Sequence, residues 1–378
     1  MAESFFPGAH LKRLTFGDLI GFNNDDPRES WKPFWLSSEA MVAETPHQRR
    51  GKAYSAAQIA ISKSALSLGP NLSPEHIRQF YADNFVPHLI LSNDTEISGQ
   101  EAFFTAYYRP EVAASAVQTN EYSEPLLARP SDLVTLEPGE DVHGLSGLAG
   151  ARRLDDGKLI PYPTRAHIES GVLGEVTHPI AFVADGIEAF MIHVQGSARL
   201  RFPDGRKADL TYAGRNGRPY TSIGKILISE GAISLADMSL AHLKNWVRAN
   251  GQKPHEKGRE LLHRNESYVF FSLTDVADDS FEPIAAANVR LTAWRSIAVD
   301  RNLWPYGLPF WIEADLPWHD GNMNQFQRLM IAQDTGSAIL GPARADLYFG
   351  TGDEAGQLAG NVRQRGRMIV FLPKGDAP

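Results

Sequence analysis

Apolar residues in the first hundred positions recur at helical spacing. Ser73-Pro74-Glu75 supplies an N-cap, a proline at the first helical position and an early acid, after which Ile77, Phe80, Tyr81 and Phe85 fall on one face; Pro87 then ends the predicted helix. From "FFTAYYRP" (Phe103 to Pro110) the period shortens and Pro and Gly multiply, as short strands and turns require. "IEAFMIHVQGSARLRF" and "GRKADLTYAG" read as strands, with Asp204-Gly205 marking a hairpin. A second helical patch covers roughly Ser222 to Arg264. There Ser239 caps a helix whose face is Leu240, Leu243, Trp246 and Val247, and Gly251 lies just past its end. Beyond it "SYVFFSL", "VRLTAWRSIAVD", "LPFWIEADL", "FQRLMIAQD", "RADLYFG" and "RMIVFLP" follow as strands. Several short strands with no long helix between them predict a mainly β protein with peripheral helices, built on a small barrel or sandwich.

Composition narrows the function classes. The chain has 378 residues, enough for two domains, and is 43% hydrophobic and 22% charged. A formal net charge of −8, with no Lys/Arg cluster able to neutralise a phosphate ladder, argues against nucleic acid and anionic membrane as partners. The absence of cysteine excludes thiol nucleophiles, disulfides and thiolate metal sites. No apolar run approaches the ~18 residues of a membrane span, and "MAESFFPGAHLKRL" has no signal-peptide pattern, so the expectation is a soluble chain without a transmembrane segment.

Candidate chemistry concentrates in the last strands. Asp300 ("RSIAVDR"), Asp334 ("MIAQDTG") and Asp346 ("ARADLYFG") each follow or sit in an apolar strand, where an acid caps a turn or meets others at a barrel rim. Asp334 stands out, because Leu329, Met330, Ile331 and Ala332 precede it, and apolar walls raise a carboxyl's pKa as a general acid requires. "DTG" also occurs in aspartic proteases, but those need two acids sharing a proton. Here there is one DTG, no DSG, and only 44 residues after Asp334. In mid-chain, "HVQGSARL" and "YAGRNGRPYTSIG" offer Gln195, Gly196, Ser197, Tyr212, Asn216, Tyr220 and Ser222, the mixture of amide, hydroxyl and aromatic groups that binds sugars. Ordinary turn chemistry, with Asn216-Gly217 as a hairpin turn, explains them equally well. Tyr107 and Tyr108 stack on sugar rings or fill the core.

These segments carry a resemblance. "YYRPEVAAS", "PYPTRAHIESGVL", "AFMIHVQGSARL", "YAGRNGRPYTSIGKILISEG", "NESYVFF", "RSIAVDRNLWPYGLPFWI" and "AQDTGSAILGPARADLYFGTGDEAG" occur in an order that resembles the membrane-bound lytic murein transglycosylase A (MltA) family, over residues 103–373. The C-terminal part looks like that family's three-aspartate (3D) domain. The resemblance implies a double-psi β-barrel interrupted by a smaller inserted β domain, with a glycan groove between them. The barrel would comprise residues 1–110 and 266–378, and the insert residues 111–265. It implies Asp334 as the single catalytic acid, with Asp346 and Asp300 in support. The implied reaction cleaves the β-1,4 bond between N-acetylmuramic acid and N-acetylglucosamine and leaves a 1,6-anhydro end, with no cofactor and no metal. The implied partners are peptidoglycan strands and cell-wall enzyme complexes, in the periplasm at the outer membrane of a Gram-negative bacterium. The family's lipidated cysteine is missing from the sequence. A peptidoglycan hydrolase and a non-catalytic glycan-binding module are the competing readings.

Overall fold

The computed structural model of the chain describes residues 10–91, 101–136, 142–276, 278 and 281–376. Contacts divide it into two compact units, Met1–Tyr108 with Ile284–Pro378, and Arg109–Pro283. The second unit thus runs past Asn265, where the sequence placed its end. Strand Val269–Asp275 pairs antiparallel along Lys207–Arg215, with Tyr212 opposite Phe271, and that ladder keeps it in the second unit.

Six strands of the first unit close on themselves. Around the ring they run Arg363–Pro373, Pro309–Leu316, Asn324–Asp334, Ser296–Ala298, Arg344–Thr351 and Ala102–Arg109, and the last pairs back onto the first. The eleven-residue strand Arg363–Pro373 makes the closure. Arg365 pairs with Phe103, Ile369 with Trp311, and Phe371 with Pro87 of strand Phe85–Leu91. Within the ring no strand edge is left open.

Both faces of these strands are buried, which is why they read as unbroken apolar runs. One face carries Phe310, Ile312, Met330, Ala332, Met368 and Val370, all fully buried. On the other face Trp311, Leu329, Ile331, Ile369 and Phe371 pack with Trp31, Phe34, Ile61, Ile77, Phe80 and Tyr81 in one core. The last six come from helices Pro27–Val42, Ala56–Leu68 and Pro74–Asn84. The N-terminal helices therefore cover the barrel wall, and their rings meet edge to face, as Trp31 and Phe80 do at 5.0 Å.

Ser73 caps the third helix as predicted, accepting from the His76 amide. Pro87 does not end it. The helix stops at Asn84, and Pro87 lies inside strand Phe85–Leu91. Its carbonyl accepts from Leu14 N (2.9 Å), and the neighbouring strand His10–Arg13 pairs only as far as Arg13 opposite His88. By that register Leu14 lies opposite Pro87, so proline accepts one bond of the pair but cannot donate the reciprocal one, and the ladder ends there.

The second unit holds a four-stranded sheet ordered Val269–Asp275, Lys207–Arg215, Ser197–Arg201, Glu111–Ala113. The Asp204-Gly205 turn is present, with Gly205 at φ 84°. The first half of "IEAFMIHVQGSARLRF" is a helix rather than a strand. Gly186–Gln195 is capped by Asp185, which accepts from Glu188 N (3.0 Å), and stopped by Gly196 at φ 77°. Ile187, Ala189, Phe190, Met191 and Ile192 are buried around it, so its apolar face is nearly continuous and shows little period. Ser239 caps Leu240–Ala249 as predicted.

Candidate active site

The short strand Ser296–Ala298 lies between Asn324–Asp334 and Arg344–Thr351, and Ala298 is the register partner of both Asp334 and Asp346. The two acids therefore flank one residue across two strand spacings, about 10 Å between Cα atoms. Asp334 is held from three directions. Its Oδ1 accepts from Ala286 N (3.0 Å) and Thr335 N (2.9 Å), and its Oδ2 accepts from the Tyr107 hydroxyl (2.9 Å). Just before it, the buried Gln333 donates to Pro33 O (3.1 Å) and Ser37 Oγ (2.8 Å), and its Oε1 accepts from Ser296 Oγ (2.5 Å), which locks this strand end onto the first helix. Both oxygens of Asp334 are thus engaged by protein donors.

Asp346 is arranged differently. The Thr105 hydroxyl donates to Oδ1, while Oδ2 carries no hydrogen bond from a described residue. The same Thr105 oxygen accepts from Arg344 Nη2 (2.6 Å), and Arg344 also donates to the carbonyl of Ala345. Burial raises the Asp346 carboxyl above its ordinary pKa. The Arg344 charge and the Thr105 hydrogen bond pull it back in part, and the charge of Asp334 pushes it up again. Asp346 is only half-buried, so a proton held on it remains within reach of a ligand. Tyr107 is pushed well above the usual phenol range, first by burial and then by Asp334, and stays a hydrogen-bond donor. Its ring packs on Tyr348 at 5.1 Å.

Asp300 is a brace. It is buried, Oδ1 accepts from Asn302 N (3.0 Å), Oδ2 from Gly341 N (2.9 Å), and its carbonyl accepts from Leu303 N and Trp304 N. It ties the turn after Val299 to the loop before Arg344. Of the two tyrosines expected to stack on sugar, Tyr107 is committed to Asp334. Tyr108 is buried, its ring so close to Gly356 that an added Cβ there would lie 2.6 Å from it.

The mid-chain residues belong to the second unit. Asn216 is fully buried and forms no hairpin turn: Nδ2 donates to Pro163 O (2.9 Å) and Glu266 O (2.8 Å), and Oδ1 accepts from Tyr268 N (2.9 Å) and Arg218 N (3.3 Å). All its polar capacity staples three segments together. Ser222 caps helix Ile223–Ser229. Gln195, Gly196, Ser197, Tyr212 and Tyr220 are half-buried, Gly196 as the helix stop and Ser197 as the first residue of the following strand. A cavity of about 800 Å³ in this unit is lined by Glu124, Leu127, Ile168, Glu169, His193 and Arg259 among others, and by none of the residues picked out from the sequence.

Thr105 and Arg344 went unnoticed in the sequence. A signal was available: at strand period Thr105 shares a face with Tyr107, and Arg344 with Asp346 and Tyr348.

Residues 103–272 match the MltA specific insert domain, and residues 295–372, which include all three aspartates, match the 3D domain. A solved membrane-bound lytic murein transglycosylase from Agrobacterium tumefaciens superposes with a TM-score of 0.81 at 34% identity, over 96% of this chain and 98% of that one. The chain belongs to the membrane-bound lytic murein transglycosylase A family. Membrane-bound lytic murein transglycosylase A of Escherichia coli K12 is 33% identical over 272 residues, 71% of this chain and 65% of the relative, so the match spans just under two thirds of the relative's length. The structure of E. coli MltA with bound chitohexaose is similar at a TM-score of 0.66 and 25% identity, covering 100% of this chain and 98% of that one. The MltA insert match ends inside strand Val269–Asp275, again beyond Asn265. No helix among the described residues is long and apolar enough to cross a membrane.

Proposed function

We propose that this protein is a lytic murein transglycosylase that cleaves the β-1,4 bond between N-acetylmuramic acid and N-acetylglucosamine in peptidoglycan, and that Asp346 rather than Asp334 is its acid. The observation that carries the assignment is the pairing of a raised carboxyl pKa with an oxygen, Oδ2, that no described residue engages. Asp334, which the resemblance made the acid, has both oxygens on protein donors and serves to position and to supply charge. Membership of the family supports the reaction and its setting at the murein layer of a Gram-negative cell, and supports reading the closed barrel as a double-psi barrel. The chitohexaose bound by the E. coli relative supports a glycan as the ligand.

The chemistry needs one carboxyl. Protonated Asp346 gives its Oδ2 proton to the glycosidic oxygen as the C1–O bond breaks. The resulting carboxylate takes the proton of the sugar's own C6 hydroxyl, whose oxygen closes on C1 as a 1,6-anhydro ring. The acid is restored and no water is consumed. A tethered hydroxyl competes with bulk water because intramolecular effective molarities reach ~10⁵–10⁸ M. Digestion of purified murein in heavy-oxygen water therefore yields unlabelled fragments ending in 1,6-anhydro-N-acetylmuramic acid. Labelled reducing ends would make the protein a hydrolase, and binding without cleavage a glycan-binding module.

A further inference from the structure

We propose that Thr105, itself held by Arg344, is a positioning residue that fixes the transferable proton of Asp346 on Oδ2. This rests on the assignment of Asp346 as the acid. A threonine hydroxyl has one hydrogen to give and can accept in return. A guanidinium only donates, so the 2.6 Å contact from Arg344 Nη2 occupies the acceptor side of Thr105 Oγ1. The hydroxyl's own hydrogen is then directed to Asp346 Oδ1. An Oδ1 that already accepts a hydrogen bond is the carbonyl oxygen of the neutral acid, and the acid's proton sits on Oδ2, the oxygen no described residue engages.

The arrangement is rigid at each step. Thr105 stands on barrel strand Ala102–Arg109, where Thr105 is the register partner of Arg363. Arg344 is tethered through Nη1 to the Ala345 carbonyl, and its guanidinium lies over the Phe103 ring at 5.2 Å. The pair also acts differently before and after proton transfer. Once Asp346 becomes a carboxylate, the bond from Thr105 is charge-assisted and strengthens, so it favours the transition state over the ground state. The charged and titratable groups facing Asp346 are Arg344 on its own strand, Asp334 on the strand beyond Ser296–Ala298, and Tyr107 on the strand that carries Thr105.

Thr105→Val keeps the shape and removes the hydroxyl. On soluble murein glycan strands the expected result is a fall in kcat of about ten- to a hundredfold, the usual worth of one hydrogen bond to a charged group, with KM unchanged. The hydrogen bond from Thr105 lowers the Asp346 pKa, so its loss moves the alkaline limb of the pH–rate profile to higher pH. A residue that only supports the fold would not move that limb. Thr105→Ser restores both rate and profile; Thr105→Ala, which adds no bulk, replaces the valine variant should that one fail to fold. Unchanged kcat and an unmoved limb in a folded variant lacking the hydroxyl, or no rescue by serine, overturns the proposal. If Asp346→Asn stays active in the same assay, the acid assignment itself has failed. If Asp346→Asn is inactive and Thr105→Val behaves as wild type, only the positioning role has.

Discussion

Asparagine placed separately at Asp346 and at Asp334 distinguishes the two acids. At Asp346 the amide preserves the shape and the Thr105 contact but has no acidic proton to give. General acid–base help is commonly worth ~10²–10⁴-fold, which at 1.36 kcal/mol per tenfold is about 3–5 kcal/mol of barrier. At Asp334 the amide oxygen still accepts from Ala286 N and Thr335 N, and the Tyr107 hydroxyl can turn to accept from the new NH₂. What is lost is the extra strength of a charged acceptor, about 1 kcal/mol or roughly fivefold in rate. The charge of Asp334 also helps raise the Asp346 pKa, so removing it lowers that pKa. The alkaline limb of Asp334→Asn then moves to lower pH, opposite to the shift expected for Thr105→Val. Release of anhydro-muropeptides from purified sacculi, followed by chromatography from pH 4 to 9, reads rate and limb together, with circular dichroism and murein pull-down reporting folding and binding. A larger rate loss at Asp334 than at Asp346, in folded proteins, would refute the reasoning and return the acid to Asp334.

Two further outcomes concern stability. Arg295, buried, donates to Asp25 Oδ2 (2.7 Å) and Oδ1 (2.6 Å), to Glu29 (3.0 and 2.6 Å) and to Leu329 O (3.1 Å); Arg295→Met strands the Asp25 carboxylate, whose side chain is 7% exposed, and should cost about 3–5 kcal/mol in urea unfolding, an account that a loss below about 1 kcal/mol would contradict. Burial alone would raise Glu169, but the hydrogen bond from His263 and the charges of Arg165 and Arg259 override it and hold the carboxyl at about 2. Because that is below its unfolded value of about 4.5, the stabilisation is fully present above pH 4.5 and is lost as pH falls towards 2. It is worth about 3 kcal/mol, and Glu169→Gln should flatten the acid side of a stability–pH curve by that order. An unchanged acid limb in the variant would rule this out.

Much of the barrel was legible because its strands announce themselves. Asn324–Asp334 and Arg363–Pro373 are long β-rich runs, and Ser73, Ser239 and Asp204-Gly205 are local signals that need no partner to act. The errors arose where burial overrode local pattern. Helix Gly186–Gln195 is apolar on nearly every side, so periodicity could not separate it from a buried strand. Pro87 sits in a strand because its missing donor falls at the last pair of a short neighbour's ladder, a fact about pairing that sequence does not contain. Asn216 has the residue type of a ligand-binding amide, yet its side-chain hydrogen bonds all go to backbone, to Pro163, Glu266 and Tyr268 far away in sequence and to nearby Arg218. Apolar neighbours in sequence drew attention to Asp334, whereas the carboxyl raised by burial is Asp346, and its partners Thr105 and Asp334 lie on other strands, where sequence order does not show them.

The closing strand has a consequence for synthesis. Arg365 pairs with Phe103 and Ile369 with Leu89, so the first barrel strands emerge from the ribosome long before the strand that completes them. At ~5–20 residues per second, they wait on the order of ten to fifty seconds with unpaired edges. Contacts of such high sequence separation also fold slowly, because loop closure must be met before any pairing rewards it. Arg109–Pro283 has no such delay, since all the strands among its described residues are present by Asp275. The newborn chain is thus a finished second unit carrying an unsealed barrel, and until residues near the C-terminus arrive it depends on whatever shields nascent strand edges from one another.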